Sequence, residues 1–490
     1  MNDPSYVYSV EEIENVENWC QTVLDVKKKN SLWHVQMGNL FEVLGLPRLA
    51  EARARQALML DPQDWRASYL LAKLVGTKEG IEILAAPIGE RLASDTQWQQ
   101  DPVQRIGFAK LLYMFGLLYW EDRCQSKAIT YCKMAMELDP TNYERVTMVL
   151  SSLATEGRWE DIIVSLKAAK SSAHVSQGLP EMVIELWNAD RFHQIFLQAA
   201  LRTKHFDLLE ETYELAINFL LERQDHTTLC YVRYYYATAI YSLRDRESKA
   251  IAEWEKVLVE VPQSHLYTIL PLLVSKLGPL YLHKARASGD DINAASSYLH
   301  KLETLIPDGA PGADALLPPK LYLARYYQTQ GDVLRAKQIT REIVKQALEI
   351  LSDDDEDNDK YAYFNLLTVF LPLEDNRNML ASLAMMSLNT SDTEILYCDG
   401  DCGNSWSYLG EMLWCKDCID FQIDKECHRK LCDGVLPFTV CHRSHDFLHI
   451  PGRETIIQDI PVGCVPFGEA VIPLDEWMEL IRRNYVYIEH

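Results

Sequence analysis

The feature that most constrains this chain is a cluster of cysteines near its C-terminal end. Seven of the twelve cysteines in the 490-residue sequence lie between Cys398 and Cys441, and histidines follow directly after them. Thiolates two or three residues apart can both bind one Zn²⁺, which in structural sites takes four sulfur or imidazole ligands. So short a segment has little apolar core, so we expect metal ligation to supply its folding free energy.

The spacing of the candidate ligands predicts two interleaved zinc sites, an arrangement called a cross-brace. The Cys-x2-Cys pair is expected to share one ion with the His-x3-His pair. The first cysteine pair is expected to share the other ion with two later cysteines, and Cys432 is an alternative to Cys441 there. The predicted ligands are Cys415, Cys418, His445 and His449 for one ion, and Cys398, Cys402, Cys427 and Cys441 for the other.

Before the cluster, from about residue 15 to 385, apolar residues recur with helical periodicity. Two phrases are nearly the same, Ala-Leu-Met-Leu-Asp-Pro ending at Pro62 and Ala-Met-Glu-Leu-Asp-Pro ending at Pro140. Small residues precede both at matching offsets, Gly38 in one unit and Gly116 in the other. This helix–turn–helix pattern resembles the tetratricopeptide repeat (TPR), in which small residues let paired helices approach closely.

These repeats predict a mostly α-helical chain, a TPR-like α-solenoid of about seven to nine helix pairs followed by a small two-zinc module. We expect helical repeats over residues 1–386, a polar linker over 387–393 and the zinc module over 394–453. The remaining residues, 454–490, are expected to hold a short helix that is capped by Asp475 and packs on the zinc module.

Composition limits the classes of function. Hydrophobic residues make up 48% of the chain, and no run approaches the ~18 apolar residues of a membrane span. The N-terminus lacks the basic and apolar regions of a signal peptide, so we expect an intracellular protein, cytoplasmic or else nuclear. The net charge of −23 disfavours nucleic acid and anionic membranes, and it favours basic peptides or protein faces as partners.

The Cys-rich segment also resembles a known zinc finger, the ZZ type. Three phrases carry the resemblance: Tyr397-Cys-Asp-Gly-Asp-Cys-Gly-Asn-Ser-Trp406, Trp414-Cys-Lys-Asp-Cys-Ile-Asp-Phe421, and Val440-Cys-His-Arg-Ser-His-Asp-Phe-Leu-His-Ile-Pro451. The segment is more closely similar to the ZZ-like module that ends many fungal proteins of the STAND class, where TPR-like repeats precede it and an Asp-Glu-Trp helix follows. It departs from the ordinary ZZ finger in a longer Cys418 to Cys427 spacing and in lacking a third Cys-x2-Cys pair.

The resemblance implies a binding protein. The module is similar to readers of protein N-termini and basic tails, and the acids expected to contact such a peptide are Asp399, Asp401, Asp417 and Asp420. The leading hypothesis is a non-enzymatic scaffold or sensor, with a peptide or protein on the concave face of the repeats and the zinc module as a second contact.

The alternative hypothesis is a RING-like component of a ubiquitin ligase, because a two-zinc cross-brace can also recruit a conjugating enzyme. The sequence shows no Gly-x4-Gly-Lys-Ser/Thr loop that could bind phosphates, and no catalytic residues are predicted. The sequence leaves the partner and the oligomeric state open.

Overall fold

The computed structural model forms two compact units, Met1–Phe219 and Leu220–His490. The Cys-rich segment belongs to the second unit together with the helices before it, so the two units do not divide at the predicted linker, of which residues 389–393 lie outside the described residues. The residues that the structure describes are 30–94, 96–139, 143–170, 178–243, 246–260, 263–289, 291–305, 318–353, 355, 358–388, 395–400, 402, 405–407, 411–436, 441–450 and 460–488.

The first unit is built from consecutive helices that pack against one another. A 3-10 turn, Thr96–Gln100, lies between the fourth helix and the fifth, and the last helix crosses into the second unit. The helices are α1 Ser31–Val43, α2 Pro47–Leu60, α3 Trp65–Leu74, α4 Thr77–Ala93, α5 Pro102–Glu121, α6 Gln125–Leu138, α7 Tyr143–Thr155, α8 Trp159–Lys170, α9 Leu179–Glu185, α10 Asp190–Thr203 and α11 Phe206–Arg223.

Two glycines show why these helices pack closely. A Cβ at Gly116 of α5 would lie 2.4 Å from the sulfur of Cys132 and 3.0 Å from the carbonyl oxygen of Ala128, both on α6. A Cβ at Gly38 of α1 would lie 3.3 Å from the carbonyl oxygen of Ala50 on α2. A side chain at Gly116 would thus overlap α6, and one at Gly38 would press tightly on α2, which is the close packing that the repeat pattern predicts. Pro140, the last residue of that pattern, lies outside the described residues.

The second unit continues with helices of the same kind. Gly331, with a φ of +80°, makes the turn between two of them, and the carboxylate of Asp332 then accepts a hydrogen bond from the backbone of the next helix. These helices are α12 His226–Tyr241, α13 Glu247–Glu260, α14 Gln263–Ala287, α15 Ile292–Glu303, α16 Pro318–Thr329, α17 Val333–Ile350, α18 Asp359–Phe370 and α19 Asn376–Leu388. The predicted class, a mostly α TPR-like α-solenoid followed by a small Cys-rich module, is confirmed.

The Cys-rich module contains short strands and one short helix. Its described strands form an antiparallel pair, β1 with β2, and a three-stranded sheet in the order β4-β3-β5, while β6 and β7 form a separate hairpin after it. The elements are β1 Ile395–Tyr397, β2 Ser405–Ser407, β3 Met412–Cys415, β4 Gln422–Ile423, α20 Lys425–Cys432, β5 Phe447–Ile450, β6 Cys464–Phe467 and β7 Ala470–Pro473.

The C-terminal helix α21, Leu474–Ile481, is anchored on the last helices of the array, and not on the zinc module as predicted. The indole nitrogen of Trp477 donates a hydrogen bond to Oδ1 of Asn378 at 2.8 Å, and the ring lies 6.3 Å from that of Tyr363. This tryptophan is fully buried, so its N–H needs the partner that α19 provides. Asp475 lies inside the helix and is not its cap.

None of the described helices combines the length and the apolar character that crossing a bilayer requires.

Candidate metal centre

The first candidate site consists of three cysteines and one histidine whose donor atoms converge: Cys415, Cys418, Cys441 and His445. The Nδ1 atom of His445 lies 3.6, 3.4 and 3.5 Å from the three sulfurs in that order, and two of the sulfurs lie 3.6 Å apart. Zn–S bonds of about 2.3 Å and Zn–N bonds of about 2.0 Å imply tetrahedron edges of roughly 3.5–3.8 Å. The four atoms therefore fit one tetrahedral ion.

Strand β3 and the turn after it position the first two of these ligands. Cys415 is the last residue of the strand, and its backbone N–H donates to the carbonyl oxygen of Phe421 at 2.9 Å, which closes the turn. The backbone N–H of Cys418 points at the Cys415 sulfur from 3.2 Å. The next residue, Ile419, has a φ of +64°, so the chain reverses directly after the second cysteine. Local backbone geometry thus sets the distance between the two thiols.

The second candidate site consists of three cysteines and one carboxylate: Cys398, Cys402, Asp424 and Cys427. The Cys402 sulfur lies 3.1 Å from Oδ2 of Asp424, while Oδ1 of the same carboxylate accepts a hydrogen bond from the backbone of Cys427 at 2.6 Å. One oxygen of Asp424 therefore caps helix α20, and the other remains directed at the thiols.

A glycine makes room for this second cluster. A Cβ at Gly400 would lie 2.3 Å from the sulfur of Cys427 and 3.2 Å from that of Cys398. The backbone N–H of Gly400 also points at the Cys398 sulfur from 3.4 Å. Backbone N–H groups stabilise a thiolate, so the loop is shaped for charged sulfur.

Burial affects the protonation of these thiols. It raises the pKa of the Cys398 thiol to about 11, and it also raises the pKa of Cys441 above the usual range. At neutral pH a metal ion that binds either thiol must therefore displace a proton.

The ligand grouping differs from the predicted grouping in three positions. Cys441 lies with Cys415 and Cys418 and not in the other site, and Asp424 completes that other site. His449 lies on β5, two residues beyond the one that pairs with Cys415, so its backbone is about 7 Å further along the strand. Its Nε2 instead lies 2.7 Å from the carboxylate of Glu411.

The alternative ligand Cys432 lies at the end of α20 and is exposed, with its sulfur 3.8 Å from Nε2 of His428. Sequence reasoning also missed Asp424 as a ligand. A signal for it exists, since Asp424 and Cys427 have the spacing of a Cys-x2-Cys pair. Carboxylate oxygen is an accepted ligand of Zn²⁺.

Asp417 lies in the turn between two ligands of the first site, and it is buried at 3% exposure. Its Oδ1 accepts hydrogen bonds from Nη1 of Arg286 on α14 at 2.7 Å and from Nε of Arg325 on α16 at 2.8 Å. Its Oδ2 accepts from the backbone N–H of Asp446 at 3.0 Å. Burial alone would raise the pKa of Asp417, but the two guanidinium groups hold it below its usual value.

Arg325 is fully buried and joins the module to the helices. Besides Asp417, it donates to the carboxylates of Glu374 at 2.9 Å and Asp446 at 3.1 Å and to the carbonyl oxygen of Pro372 at 3.3 Å. On the same helix, the hydroxyl of Tyr322 donates to the carbonyl oxygen of Cys418 at 3.0 Å. The metal-binding turn is thus held on α14 and α16 by an interior network of charges.

The four acids predicted to contact a peptide have different environments. Asp417 is buried and hydrogen-bonded to Arg286 and Arg325, so it cannot form part of a binding surface. Asp399 and Asp420 are exposed, and the carboxylate of Asp399 accepts a hydrogen bond from the backbone of Gln422 at 2.8 Å. Asp401 lies outside the described residues.

Comparison with known proteins identifies no family: no family model and no curated protein matches the chain. A solved structure titled "Functional Characterization of Pseudomonas Aeruginosa pilF" is 15% identical, and the match covers 36% of this chain and 91% of that chain with a TM-score of 0.16. Another, titled "Structure of Naa15/Naa10 bound to HypK-THB", is 13% identical over 77% of this chain and 67% of that chain, with a TM-score of 0.17. TM-scores this low carry no argument about function.

Proposed function

We propose that the chain is a non-enzymatic protein-binding scaffold whose C-terminal module is held together by two Zn²⁺ ions. The observation that supports a structural role for the metal is that each cluster supplies four protein ligands, enough to complete a tetrahedral site. A catalytic zinc keeps one position open for water or substrate. The donors are mainly thiolates, which select zinc over hard cations such as Mg²⁺ and Ca²⁺.

The scaffold role is supported by the helix pairs. Stacked helical repeats present extended surfaces that hold peptides or proteins, and this chain devotes most of its described residues to them. Its net charge of −23 favours a partner with basic residues. Clustered thiol ligands persist in a reducing compartment, so we place the protein in the cytoplasm.

We propose that the ZZ-like module makes a second contact with the bound peptide or protein, through the exposed acids Asp399 and Asp420. We also propose its relationship to the modules of fungal STAND-type proteins. The order of elements supports this relationship, because helical repeats precede the module and an Asp-Glu-Trp helix follows it.

Zinc content tests the metal part of the proposal. Elemental analysis of the intact purified chain is expected to give two zinc ions per molecule, and the Cys415→Ser chain is expected to give one. A wild-type value of one or zero contradicts the two-site assignment.

Peptide selection tests the scaffold part. A displayed random-peptide library selected on the intact chain should yield a motif with basic residues, and its affinity should fall as salt screens the exposed charges. The double substitution Asp399→Asn with Asp420→Asn should weaken the binding of peptides that have a free amino terminus. The control Glu90→Gln, which changes an exposed acid on α4, should leave that binding unchanged. Failure to enrich any motif contradicts the scaffold.

A second candidate function is the RING-like ligase component. The order of the ligands favours it, because the two clusters alternate along the chain as in a cross-brace. A reconstituted ubiquitination reaction distinguishes the two functions. Activity that disappears in the Cys415→Ser chain supports the ligase and overturns the scaffold reading of the module.

A further inference from the structure

An open cavity of about 530 Å³ lies in the first unit between α5, α6 and α7. Trp120 of α5 and Met148 of α7 line it and remain 38% and 42% exposed, respectively. Large apolar side chains that line a cavity and still contact water gain free energy when an apolar group covers them. Ile129 and Cys132 of α6 also line it.

The wall of this cavity carries no Asp, Glu, Lys, Arg or His side chain among its described lining residues. Several hydroxyls face it, and two of those on α7 bond within their own helix: Thr147 donates to the carbonyl oxygen of Tyr143 at 3.0 Å, and Ser152 donates to that of Met148 at 2.9 Å. Burying a charged group here would cost free energy without a compensating partner. The group that fills the cavity is therefore apolar.

Two acidic residues are sequence neighbours of residues that line the cavity. Exposed Glu185 directly precedes Leu186, and exposed Asp190 directly follows Ala189, both of which line the cavity. One turn before Thr147, burial and the negative charges of Glu181, Glu185 and Asp139 raise the pKa of Tyr143 to about 12. Of the two neighbours, Glu185 therefore lies close enough to α7 for its charge to act on the Tyr143 ring.

We propose that this cavity holds one large apolar side chain, of the size of leucine, methionine or phenylalanine, from a peptide whose neighbouring residues are lysine or arginine. The apolar side chain covers Trp120 and Met148, and the basic residues meet the carboxylates at the mouth. This inference rests on the proposed scaffold function and assigns it a specific binding site.

The lining favours a peptide over a small molecule. Small-molecule sites orient their ligand with a few convergent polar groups, whereas the hydroxyls of Thr147 and Ser152 are satisfied inside α7. A peptide needs no such groups, since its backbone and its basic residues lie outside the cavity.

The experiment uses the intact chain and a fluorescein-labelled probe peptide, Gly-Lys-Ser-Lys-Phe-Lys-Ser-Lys-Gly, with binding measured by fluorescence anisotropy. Met148→Asp and, separately, Trp120→Ala should weaken binding about tenfold or more, because the apolar contact is lost. The matched control is Met59→Asp, since Met59 of α2 is 69% exposed and does not line the cavity. A probe with serine in place of phenylalanine, or with glutamate in place of lysine, should bind weakly to the unchanged chain.

Five results would overturn the proposal, and the last of them leaves the scaffold function intact. The first is equal weakening by Met59→Asp, and the second is a serine probe that binds as well as the phenylalanine probe. The third is a change from dimer to monomer on Met148→Asp, which makes a second copy of the chain the occupant. The fourth is a neutral naphthalene dye whose binding requires Met148, when neither the probe nor any selected peptide binds. If selected peptides bind but do not respond to Met148→Asp, the scaffold function stands and this site fails.

Discussion

At the residue scale, the two carboxylate oxygens of Asp424 have different roles. One oxygen caps helix α20, and the other completes the second candidate metal site. A residue that joins a ligand role to a capping role fixes the helix relative to the ion.

We predict that Asp424→Ala lowers the zinc content from two ions per chain to one and also removes a helix cap worth about 1 kcal/mol. Asp424→Cys should keep two ions, because it restores a Cys-x2-Cys pair. Elemental analysis checks both. Cys432→Ser is the control and should keep two ions. If it loses one while Asp424→Ala does not, Cys432 is the fourth ligand.

His193 of α10 gives a pH-dependent prediction. Burial lowers its pKa from 6.5 to about 3, and the neutral ring is fixed between the hydroxyl of Tyr213 at 2.6 Å and the carbonyl oxygen of Leu186 at 2.9 Å. The folded-state pKa lies below the unfolded value, so the unfolded chain binds the proton first as pH falls. The stability from the neutral ring is present above pH 6.5 and is lost progressively towards pH 3.

We therefore expect that lowering the pH from 7 to 5 decreases the unfolding free energy of the first unit by about 2 kcal/mol through this site. Urea unfolding at the two pH values measures it. In the His193→Gln chain this component should be absent, and the NMR signal of the His193 ring should not titrate between pH 8 and pH 5. A ring that titrates near pH 6.5 contradicts the assignment.

At the element scale, close helix crossings depend on residues without a side chain. A Cβ at Gly116 would overlap the partner helix, and one at Gly38 would be in tight contact with it. These crossings could be predicted from the sequence, because the pattern that encodes them is local and repeats.

We predict that Gly116→Leu lowers the stability of the first unit by about 1–3 kcal/mol through overpacking against Cys132. Gly89→Leu is the matched control. Gly89 also lies in a helix, α4, but a Cβ there meets nothing within 4 Å, so leucine should leave the melting temperature unchanged or raise it through higher helix propensity. Equal melting temperatures for Gly116→Leu and the wild type would show that the crossing can adapt.

The ligand grouping was harder to predict, for a physical reason. Spacing alone places two thiols on one ion when they are two or three residues apart, as in Cys415 and Cys418. It does not decide which distant residue completes the tetrahedron. The strand register that carries His449 away, and the turn that brings Cys441 in, depend on pairing across the module.

At the scale of the whole molecule, the Cys-rich module belongs to the second unit together with the helices that precede it. Its contact with the helices rests on Arg325 and Asp417, which are 92 residues apart in the sequence. No local pattern marks a pair at that separation, so the sequence predicted an exposed acid where the structure has an interior ion pair.

We predict that Asp417→Asn destabilises the second unit, because it leaves a buried guanidinium group without its best partner. Breaking a buried ion pair costs about 3–5 kcal/mol, and the remaining carboxylates of Glu374 and Asp446 place this case at the lower end. Urea unfolding measures the loss. The control is Asp420→Asn, a change of the same kind at an exposed position three residues on. Similar stabilities of the two variants would mean that the network contributes little.

The long separation of Arg325 from Asp417 also matters while the protein is being made. A ribosome that adds about 5–20 residues per second needs roughly 5–20 s to travel from the arginine to the aspartate. During that interval helix α16 carries a charged side chain destined for the interior, with its main partner not yet synthesised. The ion pair between Arg325 and Asp417 therefore cannot form until the turn that carries Asp417 has been synthesised.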